Sequence, residues 1–359
     1  MRILFYPKYN EKGASSRYRV YQYLDYFKDY KVEVYPFFDD RYIPSQSFKS
    51  IKGVFYVVFC YFRRSLNMLR IKRSDLVFLE KEFIPYLPFN TFFFKLVKIN
   101  YIVDYDDAIF HNYDLHPNKI IRFLLKDKVS KVIKFSKTVI TGSPYLTSYA
   151  KKYNVNVIEI PTAINLQTYQ SVFQKETNNN FVIGWIGSKT TSVNLISLIP
   201  SFKAFKELHS NFEIRCIGFD RDLEHHFNDL PFHVQDWSSE TEVEDIKNFT
   251  VGIMPLENNP FNKGKCAFKL IQYMACGIPT ISSPLEANIK VNRDNNNLFA
   301  NTEEEWTNAF IKVFENTIDL KKTGEANKVI VEHYYTIQAN KDTYLEIFSS
   351  IIANKIRFK

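Results

Sequence analysis

Gly264-Lys265-Cys266-Ala267-Phe268-Lys269-Leu270-Ile271-Gln272-Tyr273-Met274-Ala275-Cys276-Gly277-Ile278-Pro279 carries its apolar residues at helical rather than alternating spacing. Ala267, Leu270, Ile271, Met274 and Ala275 fall on one face, the pattern of a helix with a buried side. The stretch predicts a helix over Lys265–Cys276 that stops before Gly277 and Pro279. Lys265 and Lys269 then share one side of that helix, close to the positive end of its dipole, where a diphosphate is favoured. A glycine at 264 leaves room for a ligand to approach the backbone. The plainer alternative, two lysines on the solvated side of a core helix, stays open. A P-loop is excluded, because it needs Gly at 259 and Ser or Thr at 266, where Asn259 and Cys266 stand.

Outward from this helix, short apolar runs alternate with amphipathic stretches. Val251–Met254 and Thr280–Ser282 flank it as strands, and Phe181–Ile186 opens the same series. Gly184-Trp185-Ile186-Gly187-Ser188-Lys189-Thr190-Thr191-Ser192 reads as a strand that breaks into a turn and then starts a helix predicted over Val193–His209. Backbone N–H groups and hydroxyls in such a turn suit an anion, although an ordinary capped turn explains it equally well. The polar run Gln170–Asn180 has no periodicity and reads as a linker. Before it lies another α/β series, with strands near Ile3, Val32, Leu76, Tyr101 and Thr138 and helices over Ser47–Leu69, Tyr86–Lys98 and Lys119–Phe135. The expected class is α/β, with two Rossmann-like domains, 1–165 and 166–336, whose parallel sheets face a central cleft. The tail, 337–359, is helical and expected to pack back on the first domain.

A chain of 359 residues, 45% hydrophobic and 24% charged, suits two cores and argues against disorder. The net charge of +8 favours an anionic partner without choosing one. Cys60, Cys216, Cys266 and Cys276 lack CxxC spacing, so neither zinc nor a disulfide framework is expected, and the chain reads as cytoplasmic. Lys49–Arg73 combines a run of Val, Phe and Tyr with seven cations, a pattern suited to an anionic membrane surface and equally to a core helix with a basic rim. Membrane contact would place the protein at the inner face of the plasma membrane. No recognisable RNA- or DNA-binding module is present, so nucleic acid is not expected as a partner.

Taken together, Gly184–Ser188, Lys265–Cys276, Gly277–Pro284, Ser15–Val20, Asp104–Phe110 and Gly142–Leu146 resemble the retaining glycosyltransferases of family 4, which have the GT-B fold. The resemblance implies transfer of a sugar from a UDP- or GDP-linked donor to the hydroxyl of a glycan or lipid-linked acceptor, in cell-surface polysaccharide or glycolipid synthesis. It implies no metal and no further cofactor. It places the donor diphosphate at Gly187, Ser188, Lys189, Lys265, Ala267 and Phe268. Gly264 and Gln272 stand where members often carry two glutamates that hold the ribose and sugar. Asp106 and Asp107 match the loop that contacts the transferred sugar or acceptor, and Gly13, Arg17 and His111 are the remaining contacts to acceptor or phosphate. Asp104, Asp106 and Asp107 are close enough in sequence for mutual repulsion to raise one pKa and make proton transfer available. Two other readings are a nucleotide-sugar isomerase of the same build and a basic binding protein without catalysis.

Overall fold

The computed structural model describes residues 2–41, 50–73, 75–87, 94, 98–170 and 180–356. The chain divides into two compact units. One comprises Met1–Thr162, Gly264–Cys266 and Asn340–Lys359, and the other Ala163–Lys263 and Ala267–Ala339.

In the first unit six parallel strands lie in the order β2-β1-β3-β4-β5-β6, namely β1 (Arg2–Tyr6), β2 (Lys31–Val34), β3 (Leu76–Glu80), β4 (Asn100–Tyr105), β5 (Thr138–Thr141) and β6 (Val157–Glu159). Strands β3 and β4 are buried on both faces apart from Asn100, which is why they read as nearly continuous apolar runs. The sheet changes direction of winding between β1 and β3, so the loops after these two strands diverge and leave a crevice at their carboxyl ends. The helix Ile337–Ile356 belongs to this unit from Asn340 onward, and its Tyr344 and Phe348 rings meet those of Tyr23 (tilted) and Phe27 (edge-on).

The second unit has six parallel strands in the order β12-β11-β10-β7-β8-β9: β7 (Phe181–Ile186), β8 (Phe212–Ile217), β9 (Phe232–Gln235), β10 (Val251–Met254), β11 (Thr280–Ser282) and β12 (Leu298–Phe299). Its switch point lies between β7 and β10, the two strands whose following loops carry Gly187 and Lys265.

Three predicted helices are interrupted. Lys119–Phe135 divides into Lys119–Leu125 and Lys128–Phe135, and the break turns Lys128 inward, where it pairs with Glu82 and donates to Ile84 O at 2.7 Å. Val193–His209 divides into Val193–Ile196 and Ile199–Leu208, because Pro200 has no N–H to continue the ladder and so sits in the first turn of a new helix. Lys265–Cys276 starts only at Phe268, since Ala267 is left-handed with φ 54°. Tyr86 is left-handed as well, φ 55°, so no helix begins there, and most of the predicted Tyr86–Lys98 segment lies outside the described residues. Residues 171–179 of the linker, and 47–49 of the predicted helix Ser47–Leu69, also lie outside them.

Candidate functional site

At the switch point of the second unit, β7 ends in the turn Gly187-Ser188-Lys189. The amides of Gly187 and Ser188 are already engaged, donating to Ile217 O (3.0 Å) and Thr191 Oγ1 (3.1 Å). What the turn presents to solvent is the Lys189 side chain together with the hydroxyls of Ser188 and Thr190. Gly187 is required by packing, because a Cβ there would lie 2.4 Å from the Trp185 ring. The Lys269 ammonium lies 5.5 Å from the centroid of that same indole, so Trp185 joins the β7 turn to the first turn of the helix Phe268–Ala275. From the same helix, Tyr273 accepts from Ile186 N at 2.9 Å and donates to Ile253 O at 3.3 Å, tying the helix to β7 and β10. First-turn amides of a helix point beyond its start, toward the positive end of the dipole. Trp185 and Tyr273 were not legible as site residues, since both read as ordinary core.

Lys265 lies outside the helix, and its partnership with Lys269 on one helix face is therefore corrected: the left-handed Ala267 cap directs the preceding residues away from the helix axis. Gly264, Lys265 and Cys266 belong with the first unit. Lys265 Nζ donates to Asp107 Oδ1 at 2.8 Å, and Cys266 Sγ lies 3.0 Å from Asp106 O. Gly264 makes room for protein rather than for a ligand, because a Cβ would sit 2.5 Å from Ala108 Cβ. Gln272 is buried, and its amide donates to Glu242 Oε1 (2.8 Å) and Tyr169 OH (3.2 Å), while Trp237 Nε1 donates to the other oxygen of Glu242. The expected ribose contact by Gln272 thus meets a side chain already committed to a buried carboxylate.

In the first unit the carboxyl ends of β1, β3 and β4 assemble a charged cluster. Glu80 accepts from Lys8 N, Ser15 Oγ and Ser16 Oγ, which anchors the β1 loop and the start of the helix Ala14–Arg19 to β3. Lys81, left-handed at φ 67°, turns its ammonium to Asp106 Oδ1 at 2.8 Å and donates to Ser15 Oγ at 2.9 Å. A left-handed lysine costs roughly 1–2 kcal/mol, so neighbouring contacts must hold it there. Gly13 starts the helix, and a Cβ on it would meet the Tyr9 side chain. Arg17 lies 4.8 Å from the Tyr18 ring centroid. His111 is held from both sides, by Asp114 (2.9 Å) and Tyr145 OH (2.9 Å).

Ionisation in this cluster differs from simple carboxylate repulsion. Burial raises the Asp106 pKa, but Lys81 and the Ser15 hydroxyl outweigh it and hold the group at about 2. The carboxyl pushed up is Asp104, mainly by burial, and it forms a two-point pair with the guanidinium of Arg19, sealed from solvent. At neutral pH Asp106 is therefore an anion rather than a proton donor. Its folded pKa lies below the ordinary carboxylate value, so its contribution to stability is present above about pH 4 and lost as pH falls toward 2. Asp106→Asn is expected to flatten the acid limb of a stability-against-pH curve in that window; an unchanged limb would contradict the pairing with Lys81. Among the described residues no group of three or more His, Cys, Asp or Glu side chains is arranged to hold a metal ion. Lys81 and Glu80 were missed in sequence, although a charged triplet directly after an apolar strand, Glu80-Lys81-Glu82, was an available signal.

Two doubly wound parallel sheets of this order define the GT-B fold, which the chain shares with glycosyltransferases of known structure. HepE of Anabaena, solved in complex with UDP-glucose, aligns over 98% of this chain and 100% of its own, with TM-score 0.72 and 12% identity. Sucrose-phosphate synthase of Thermosynechococcus elongatus aligns over 99% and 100%, TM-score 0.70 at 12% identity, and the UDP-forming trehalose-phosphate synthase of Burkholderia vietnamiensis over 99% and 98%, TM-score 0.72 at 10% identity. No protein-family profile matches the chain, and no curated protein matches it by sequence.

Proposed function

We propose that the chain is a glycosyltransferase that moves a sugar from a nucleoside-diphosphate donor, UDP- or GDP-linked, to an acceptor hydroxyl with retention at the anomeric carbon. The observation that carries this reading is the joining of the Lys189 turn and the Phe268 helix start through Trp185 at the switch point of the second unit. Trp185 lies against both the turn, which exposes a lysine and two hydroxyls, and the first turn of a helix, and these are the donor types a diphosphate needs. That HepE was solved with UDP-glucose supports the choice of ligand class.

In this mechanism the departing diphosphate is the group that gains charge, and Lys189, Ser188 and the amides around Ala267 and Phe268 stabilise it. Lys265, two residues before the helix cap, exchanges Asp107 for phosphate oxygen. Asp106, an anion held by Lys81, and Asp107, paired with Lys265, orient sugar or acceptor hydroxyls, with Gly13, Arg17 and His111 as further contacts to acceptor or phosphate. Gln272 holds the buried Glu242. The acceptor is a glycan or a lipid-linked glycan of cell-surface synthesis.

Thermal shift with UDP and GDP tests the donor site. A ligand at 100 times its dissociation constant stabilises by about 2.7 kcal/mol, an upward shift of roughly 5–10 °C for a unit of this size. Silence toward every nucleoside diphosphate would remove the donor assignment. Turnover of a nucleotide sugar with no acceptor present would replace transfer by isomerisation.

A further inference from the structure

The helix Ile51–Met68 has two apolar sides. Val57 and Cys60 face inward and pack with Phe37 and Phe38. The other side exposes Ile51 (78%), Phe55 (71%), Val58 (59%), Phe62 (61%) and Leu66 (46%), with Leu69 (75%) just beyond, at helical spacing. A helix apolar on both sides is expected only where something other than water covers the outer one. A second exposed face follows on the helix Lys119–Leu125, where Ile120 is 68%, Phe123 78% and Leu124 62% exposed.

Both faces lie on one unit and are joined by a run of contacts. Tyr61 OH donates to Pro85 O at 3.1 Å, and the Tyr86 and Tyr113 rings lie 5.3 Å apart. Tyr113 sits in the short helix His111–Asp114, which packs against Lys119–Leu125. Tyr86 and Leu87, between the two helices, are themselves about half exposed. A cavity of about 140 Å³ lies along this run, lined among others by Val57, Tyr61, Tyr86, Asn112 and Tyr113, and reaches Lys81.

Charge selects the occupant. Residues 50–73 contain no Asp or Glu and carry Lys52, Arg63, Arg70, Lys72 and Arg73 besides the buried Arg64. Arg63 pairs with Asp39 from the neighbouring loop. Residues 119–137 carry Lys119, Arg122, Lys126, Lys131, Lys134 and Lys137, plus the buried Lys128, against Asp127 alone. A second copy of the same face would bring like charges together. Apolar side chains rimmed by cations match the acyl boundary and headgroups of an anionic bilayer. We propose that the first unit docks on an anionic lipid surface through these two faces. The proposal is independent of the transferase reading, because vesicle binding needs neither donor nor acceptor.

Co-sedimentation of the full chain with vesicles tests it. Vesicles of phosphatidylcholine with about a third phosphatidylglycerol should retain the protein at low salt, pure phosphatidylcholine should not, and binding should fall as salt rises. Phe55→Asp with Phe62→Asp, and separately Ile120→Asp with Phe123→Asp, should each weaken binding by roughly tenfold or more. Melting temperatures should stay unchanged, since all four side chains are exposed. A charge arm, Lys119→Gln, Arg122→Gln and Lys126→Gln together, should reduce both binding and its salt dependence. Failure to bind at low salt, equal binding to neutral vesicles, or indifference to both apolar variants would overturn the proposal. So would a wild-type dimer, seen by sedimentation velocity, that the Phe55→Asp and Phe62→Asp variant disperses.

Discussion

Arg19→Met is expected to lower the unfolding free energy by about 3–5 kcal/mol, the largest single-residue effect on stability anticipated for this protein. Arg19 and Asp104 are both at most 1% exposed, and the guanidinium meets both carboxylate oxygens while its remaining nitrogen donates to Ile160 O at 2.8 Å. Removing the cation leaves a buried carboxylate with no countercharge in a site where burial already pushes its pKa up. The loss should appear in urea unfolding as a lower midpoint with an unchanged slope. Arg19→Met combined with Asp104→Leu should recover most of it, because the desolvated charge is then gone from both sides. A double variant no more stable than the single would show that Arg19 acts through packing on Tyr344 and Ile160 instead.

The second large effect is kinetic. Lys265→Ala should reduce kcat/KM for glycosyl transfer by about 10²–10³, the usual consequence of removing one donor aimed at developing charge. Stability should hardly move, because the Lys265–Asp107 pair is about a quarter exposed on each side and such pairs contribute roughly 0–1 kcal/mol. Asp107 separates two versions of the site. If it only holds Lys265 until donor arrives, Asp107→Asn should tighten nucleotide binding and leave kcat nearly intact. If it touches sugar or acceptor, kcat should fall while nucleotide affinity stays the same. Equal activity of Lys265→Ala and the parent would exclude Lys265 from phosphate binding altogether.

Much of the architecture was legible because it depends on local patterns. Alternation of short apolar runs with amphipathic helices predicted two α/β series, and the described strands β3, β4, β7 and β10 lie within a residue of the apolar runs Leu76–Leu79, Tyr101–Asp104, Phe181–Ile186 and Val251–Met254. The strand-to-turn transition at Gly187 was equally visible. Spacing carried less information about where helices stop. Lys119–Phe135 has continuous helical periodicity, yet the chain breaks it so that Lys128 can reach Glu82, a partner 46 residues earlier.

The candidate site divides along the same line. Which residues are charged, and that Asp104, Asp106 and Asp107 end a strand, is written in the order of the amino acids. Which of them is an accessible anion is not, because ionisation follows partners from distant segments: Arg19 claims Asp104 across 85 residues, and Lys81 lowers Asp106. The stretch Gly264–Pro279 shows the same division. Its apolar spacing was sufficient for a buried helix from Phe268 to Ala275. Only packing turned Ala267 left-handed, moved Lys265 off that helix to Asp107, set Gly264 against Ala108 and buried Gln272 on Glu242. Periodicity along the chain determines which face is apolar, whereas contacts between segments far apart in sequence determine where each polar group points and what charge it holds.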